Sequence, residues 1–311
     1  MRLLALALLL PALLPAQTNK VFYYPKPVAR TAYQPPMKPV IRLADLKAKH
    51  QGKTSWHERV VHDENSLAVM IQEPPGAKYE RRLYSNSPAW WAVVEGRIRF
   101  EIEKPSGGFE VFEASKGSYV FAPERLLHSL EVIGNQPAIR LEVTLASVTP
   151  VYQKPPSVAP PGIEYLPVRL DTGVNPSDVP DPDGRPWPYH VNIHKLVEQN
   201  KDRPNNWSHS LIRKNRARSN VHCGPAIADQ PLAGNRGHFH SDYAEFWVVM
   251  LGELRWVFEG DVKNAVLARE GDIVYAPPKT FHLPQFWGKE GLNCRLTNSA
   301  FPGSNHLYDT H

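Results

Sequence analysis

Ala89-Trp90-Trp91-Ala92-Val93-Val94-Glu95-Gly96-Arg97-Ile98-Arg99-Phe100 is answered later in the chain by Glu245-Phe246-Trp247-Val248-Val249-Met250-Leu251-Gly252-Glu253-Leu254-Arg255-Trp256. A second pair follows in the same order. Lys116-Gly117-Ser118-Tyr119-Val120-Phe121-Ala122-Pro123 matches Glu270-Gly271-Asp272-Ile273-Val274-Tyr275-Ala276-Pro277, and His128 follows Pro123 by five residues as His282 follows Pro277. Upstream, Asp45-Leu46 to Trp56 resembles Lys195-Leu196 to Trp207, which extends the repeat to a short helix and a tryptophan before each unit. Self-similarity at this scale means that one supersecondary unit has been used twice. Within each unit the elements are short β runs punctuated by Gly, Pro, Asn and Asp, so the predicted class is all-β, with each unit a sandwich or small barrel.

Outside the repeat the composition changes. The chain has 311 residues, long enough for two ordinary domains, and its 31 prolines are about twice the usual share. They gather mainly in two places: residues 17–40, read as an extended Pro/Tyr-rich arm, and residues 149–189, read as a stiff linker. The organisation is therefore an N-terminal domain over 41–148, a C-terminal domain over 190–300, and a polar tail over 301–311 expected to fold back on the second domain.

Residues 1–16 read differently. One positive charge at Arg2, an apolar run from Leu3 to Leu14 broken by Pro11, and Pro15-Ala16-Gln17 have the layout of a secretory signal peptide, with cleavage expected after Ala16. The run is too short to span a bilayer, so the expectation is a secreted or periplasmic protein without a membrane span. In such a compartment Cys223 and Cys294, the only two cysteines, are either one disulfide or two buried thiols. A net charge of +5 raises nucleic acid as a partner, but the basic cluster Arg213-Lys214-Asn215-Arg216-Ala217-Arg218 stands in no binding motif and reads as a solvated loop.

The chemistry is concentrated in Gly237-His238-Phe239-His240-Ser241-Asp242-Tyr243-Ala244-Glu245 and in His282. His238 and His240, at i and i+2, share one face of a strand. Glu245 stands at an odd offset from His240, so the chain must turn at Ser241-Asp242 for its carboxylate to re-enter beside the imidazoles. Any one histidine alone is more often an ordinary core or surface residue. Three imidazoles and a carboxylate converging on one point are a metal site. Four N/O ligands without thiolate suit one divalent ion of five or six coordination, Fe(II) or Mn(II) first, with Zn, Ni or Co also compatible.

The full spacing resembles the cupin family. His238-x-His240, four residues, Glu245, six residues and Gly252 resembles its first motif; Gly271, five residues, Pro277, four residues and His282 resembles its second. The two repeats make the chain similar to a bicupin over roughly residues 60–300. The resemblance implies two tandem jelly-roll barrels with the metal held inside the second by His238, His240, Glu245 and His282. The chain departs from the motif at Lys279, where glycine is usual, and at Phe286, where asparagine is usual. Aligned on Gly96, the first repeat reads Arg82, Tyr84 and Ala89 at the ligand positions and keeps only His128. One imidazole does not hold a divalent ion, so this barrel is read as metal-free, serving for packing and for a homodimer contact; residual anion binding by Arg82, Tyr84 and His128 is the lesser reading.

Three functions fit. The first is an Fe(II) dioxygenase of an aromatic or enol-type compound, with Trp247 and Val249 on the face of Glu245 lining an apolar pocket and Phe286 on its rim. The second is a Mn-, Fe- or Zn-dependent lyase, isomerase or decarboxylase acting on a sugar acid or hydroxy-acid, with Arg295 holding a carboxylate. The third is a binding protein that captures a small molecule without turnover.

Overall fold

The computed structural model describes residues 24, 32–156, 162–169, 188–214, 217–228, 236–299 and 306–308. The signal-peptide reading and cleavage after Ala16 lie outside the described residues, as do most of the arm, most of the linker and part of the basic cluster.

Short strands dominate, as the dense turn residues dictate. The first half runs β1 (Val40–Ile41), α1 (Leu43–Lys49), β2 (Trp56–His62), β3 (Ser66–Glu73), β4 (Arg82–Tyr84) and β5 (Ala89–Glu95). It continues through β6 (Arg97–Glu103), β7 (Phe109–Ser115), β8 (Ser118–Ala122), β9 (His128–Ile133), β10 (Ala138–Leu145) and β11 (Pro150–Tyr152). The second half repeats it: β12 (His190–Asn192), α2 (Ile193–Gln199), β13 (Trp207–Lys214), β14 (Ala217–Pro225), β15 (His238–Phe239) and β16 (Glu245–Leu251). Then come β17 (Glu253–Phe258), β18 (Asp261–Arg269), β19 (Ile273–Ala276), β20 (His282–Gln285), β21 (Leu292–Ser299) and β22 (Leu307–Tyr308).

Each half closes a six-stranded sheet against a five-stranded one. The sheet orders are β12-β8-β5-β10-β3-β2 with β11-β4-β9-β6-β7, and β1-β19-β16-β21-β14-β13 with β18-β17-β20-β15-β22. These are two tandem jelly-roll barrels, with a short helix ahead of each. The edge strands are exchanged: β1 pairs with β19 of the second barrel, and β12 pairs with β8 of the first. Chain order therefore divides the domains less cleanly than boundaries at 41 and 190 suggest, because His190–Asn192 completes the first sheet and Val40–Ile41 the second. The linker, too, opens as sheet, since β11 pairs with β4.

The exchange is fixed by close approach. Leu43 N–H, at the start of α1, donates to Asp272 of the second barrel at 2.9 Å. Gly271 has φ +84°, and a Cβ there would lie 2.5 Å from the Leu43 side chain, so glycine is what lets the helix seat.

The repeat also explains three cores. One cluster lies between the two six-stranded sheets, where the equivalent rings Trp90 and Phe246 stack at 6.2 Å. The other two fill the barrels, around Trp91 and Phe100 in the first and Trp247 and Trp256 in the second. Burial on this scale, at about 25 cal/mol per Å² of apolar surface, is the main stabilising term. Cys223 and Cys294 face each other across β14 and β21, with Cα atoms 4.2 Å apart, and form a disulfide. Of the two alternatives left by the sequence, strand register selects the bond.

Candidate metal centre

The four ligand-type residues come from both sheets of the second barrel. His238 lies directly across from His282 in the β15–β20 pair. After His240 the chain bends at residues 241–242, and Glu245 opens β16 in the opposite sheet. Two backbone details hold this arrangement. Gly237 has φ +78°, and a Cβ there would lie 2.1 Å from the His282 carbonyl oxygen, so only glycine lets β15 come this close to β20. Lys279, where the motif usually has glycine, still adopts the left-handed backbone (φ 66°), and its N–H donates to the His240 carbonyl at 2.7 Å. Arg125, its counterpart in the first barrel, has the same φ of 66°. The corner is kept without glycine, at a cost of about 1–2 kcal/mol in each barrel.

One ligand atom from each of His238, His240, Glu245 and His282 lies within 4.8 Å of the others. His238 Nε2 is 3.1 Å from His282 Nε2. Glu245 Oε2 is 3.4 Å from His282 Nε2 and 3.5 Å from His240 Nε2. His282 Nδ1 donates to the Thr280 carbonyl at 2.9 Å, which leaves the Nε2 lone pair pointing inward. Burial would raise the Glu245 carboxyl, but His240 and His282 outweigh it and hold the group well below the usual carboxylate range. Burial, and then His282, push the His238 imidazole down to about 2. The donors are thus an ionised carboxylate and a neutral imidazole facing its neighbours, the protonation states that metal binding requires. Neighbouring ligands of one ion bonded at about 2.0–2.2 Å stand about 3 Å apart. The set can hold a divalent ion.

The other residues singled out from sequence fall around this cluster. Trp247 is fully buried, edge-on to the His282 ring at 5.1 Å and tilted against Trp256 at 5.7 Å. Phe286 is buried and lies under the Arg295 guanidinium at 5.0 Å. Arg295 stands on β21 opposite Val249, on the inward face of the barrel. Its Nε and Nη1 are sealed from solvent and have no hydrogen-bond partner. Burial pushes it down to about 10, with Glu245 acting in the opposite sense, so it stays cationic at neutral pH.

Two residues at the cluster were not read from sequence. His306 lies 4.2 Å from the His238 ring and 5.1 Å from that of His240, and Tyr308 lies 5.6 Å from His238. They arrive through the pairing of β22 with β15, which joins residues too far apart in the chain for a spacing rule to find.

In the first barrel Arg82 stands opposite His128, as His238 stands opposite His282. Arg82 does not stand free to take an anion. It is paired with Glu142 at 2.5 Å, and the same carboxylate accepts from Trp91 Nε1 at 2.9 Å. Arg140, fully buried, donates to Glu73 at 2.7 Å, and Tyr79 donates to Glu73 as well. Burial acts to raise Glu73, but His57 and Arg140 bring it down to about 2. His128 is pushed down to about 3, by burial first and Arg82 second, and is neutral. Glu73, Arg140 and Glu142 gave no sequence signal, because they stand in no motif.

No family model matches the sequence, and no curated protein matches it. Solved structures do. A tryptophan-to-phenylalanine variant of the oxalate decarboxylase of Bacillus subtilis is 16% identical, with a TM-score of 0.53 over 91% of this chain and 81% of that one. A two-residue deletion variant of the same enzyme is 17% identical over the same shares, with a TM-score of 0.55. An oxalate decarboxylase solved for its substrate-binding mode and a switch in reaction specificity is 17% identical, with a TM-score of 0.54 over 91% and 81%. At these identities the likeness concerns the fold.

Proposed function

We propose that this protein is a metal-dependent enzyme acting on a small carboxylic acid, with decarboxylation or a related carbon–carbon cleavage as its reaction. The observation that carries this reading is Arg295. A guanidinium with two buried, unpartnered nitrogens is costly unless an anion meets it. Its planar fork matches a carboxylate. It sits on the inward face of the barrel that holds the metal ligands and feels the charge of Glu245. Arg295 and Glu245 balance each other, so a divalent ion would add a positive excess that an organic acid offsets.

His238, His240, Glu245 and His282 would hold the ion, Mn(II) or Fe(II) being the best match to three imidazoles and one carboxylate. Bound there, it supplies a Lewis acid that polarises an oxygen of the acid. The chain's own residues do the rest. Arg295 orients the substrate carboxylate, while Trp247 and Phe286 shield the site from water. The structural neighbours named as oxalate decarboxylases support the acid reading over the dioxygenase reading. Trp247, which the latter uses to line an apolar ring pocket, is fully buried between His282 and Trp256.

The test is to load the protein with Mn(II) or Fe(II) and offer a panel of small dicarboxylic and hydroxycarboxylic acids, oxalate included, measuring CO2 release and O2 uptake together. Acid-dependent CO2 release without matching O2 uptake is the expected result. Stoichiometric O2 uptake with an aromatic or enol substrate, and none of the acids consumed, would restore the dioxygenase. Saturable binding of an acid with no product would make the protein a binding protein.

A further inference from the structure

We propose that the C-terminal strand β22 is a removable wall of the metal centre, and that His306 is a residue of that site. The proposal rests on the reading of the four-ligand cluster as a metal centre. It adds the element through which ion and substrate enter and leave.

The backbone brings the wall into place. Tyr308 pairs with His238 and Leu307 with Phe239, so β22 runs antiparallel along the strand that carries the first metal ligand. His306, one residue further along, lies against the rings of both His238 and His240 at 4.2 and 5.1 Å. Tyr308 reaches His306 Nδ1 through its hydroxyl at 3.4 Å, and its ring lies 5.6 Å from that of His238. Two of the three imidazole ligands therefore have the tail as a direct neighbour.

The first barrel shows that the strand belongs to the fold while the imidazole does not. Its counterpart, β11, pairs with β4 in the same register, with Tyr152 opposite Arg82 as Tyr308 is opposite His238. Opposite Tyr84, beside which a histidine would correspond to His306, stands Pro150. Only the barrel with the metal ligands carries a histidine at this point of its covering strand.

The wall is also weakly held. Among the described residues it is a two-residue strand with Tyr308 63% exposed, whereas β21, which carries Arg295, pairs over its full length with β14 and from Cys294 to Ser299 with β16. Elements with so few buried contacts open locally at a small fraction of the global unfolding free energy. Opening of β22 would uncover His238 and His240 while His238 keeps its pairing with His282.

The experiment compares three Mn(II)-loaded proteins: the full chain, a chain ending at Ser299, and full-length His306→Ala. Metal content is measured first, then the rate of Mn(II) loss to excess EDTA. All three should hold the same ion stoichiometry. The shortened chain should lose it at least tenfold faster, and His306→Ala at an intermediate rate. Equal rates in the full chain and His306→Ala, with metal content unchanged, would overturn the role given to His306 even if the shortened chain failed to fold. Equal rates in all three would overturn the wall altogether while leaving the metal centre intact. If the full chain takes up no metal, the reading of the cluster fails and the wall with it.

Discussion

The two barrels are built from the same strands in the same order, yet their interiors solve opposite electrostatic problems. Arg140 and Arg295 occupy the same place, each on the penultimate strand of its repeat and opposite the equivalent residues Val93 and Val249. Around Arg140 the barrel supplies Glu73 at 2.7 Å and Glu142 at 3.9 Å. Around Arg295 the corresponding positions are Gly224 and Thr297, identified by their pairing with Asn293 and Trp247. The first interior neutralises itself: Arg82 and Arg140 against Glu73 and Glu142, with His128 uncharged. In the second, Arg295 has no carboxylate within ion-pair distance among the described residues, and its Nε and Nη1 have no hydrogen-bond partner. Arg82 places a cation, paired with Glu142, where the second barrel has His238. A duplicated fold can give one half to stability and the other to chemistry.

The largest expected effect separates the barrels outright. His240→Ala should remove the bound ion, taking metal content from about one per chain to near zero with the β-rich circular dichroism kept. His128→Ala should leave it unchanged. Elemental analysis of both proteins, purified without chelators, checks this, and a loss of metal in His128→Ala would break the comparison by showing an ion in the first barrel.

The arginines come next. Breaking a buried ion pair by removing one partner typically costs about 3–5 kcal/mol, so Arg140→Met should destabilise the protein on that scale in denaturant unfolding. Arg295→Met breaks no protein ion pair and should leave stability unchanged or raised. Its effect should fall on the acid: KM up by about 10–100-fold, as for a lost charged hydrogen bond of about 1.5–3 kcal/mol, with metal content intact. Equal destabilisation by both substitutions would remove the asymmetry.

Much of this was legible in the sequence. Repeat and ligand cluster follow from local spacing: glycines at the strand ends, His238 and His240 two apart, Glu245 beyond a turn. The barrel, rather than a sandwich, came from the resemblance to the cupin motifs. What stayed hidden depends on register between distant strands. Glu73 and Glu142 sit in β3 and β10 and could equally have faced solvent, since a shift of one residue moves every side chain to the other face. The same holds for Cys223 with Cys294, and for His306, whose position beside His238 is set by a two-residue pairing across the barrel. Arg295 could be named as a carboxylate holder because it followed the motif on the last long strand. That its Nε and Nη1 lack a hydrogen-bond partner could be seen only once Gly224 and Thr297 were placed beside it.

The smallest expected effect concerns pH, and it tests whether the first interior is as closed as its geometry implies. In the unfolded chain His128 would titrate near 6.5 and Glu73 near 4.3; in the folded barrel they lie at about 3 and about 2. Both are lowered on folding, so between the two values of each group the unfolded state binds more protons and stability falls as pH falls. The contribution of Glu73 is fully present above about pH 4.3 and is lost as pH approaches 2. That of His128 begins to fall below about pH 6.5. The second barrel adds a parallel decline through His238 and His222, lowered to about 2 and about 3, so the two interiors must be separated by substitution. In metal-free protein, His128→Phe should reduce the slope of unfolding free energy against pH between about 6 and 4 by up to about 1.4 kcal/mol per pH unit, one proton's worth. An unchanged slope would mean that His128 takes up its proton in the folded state, and that the first barrel admits charge after all.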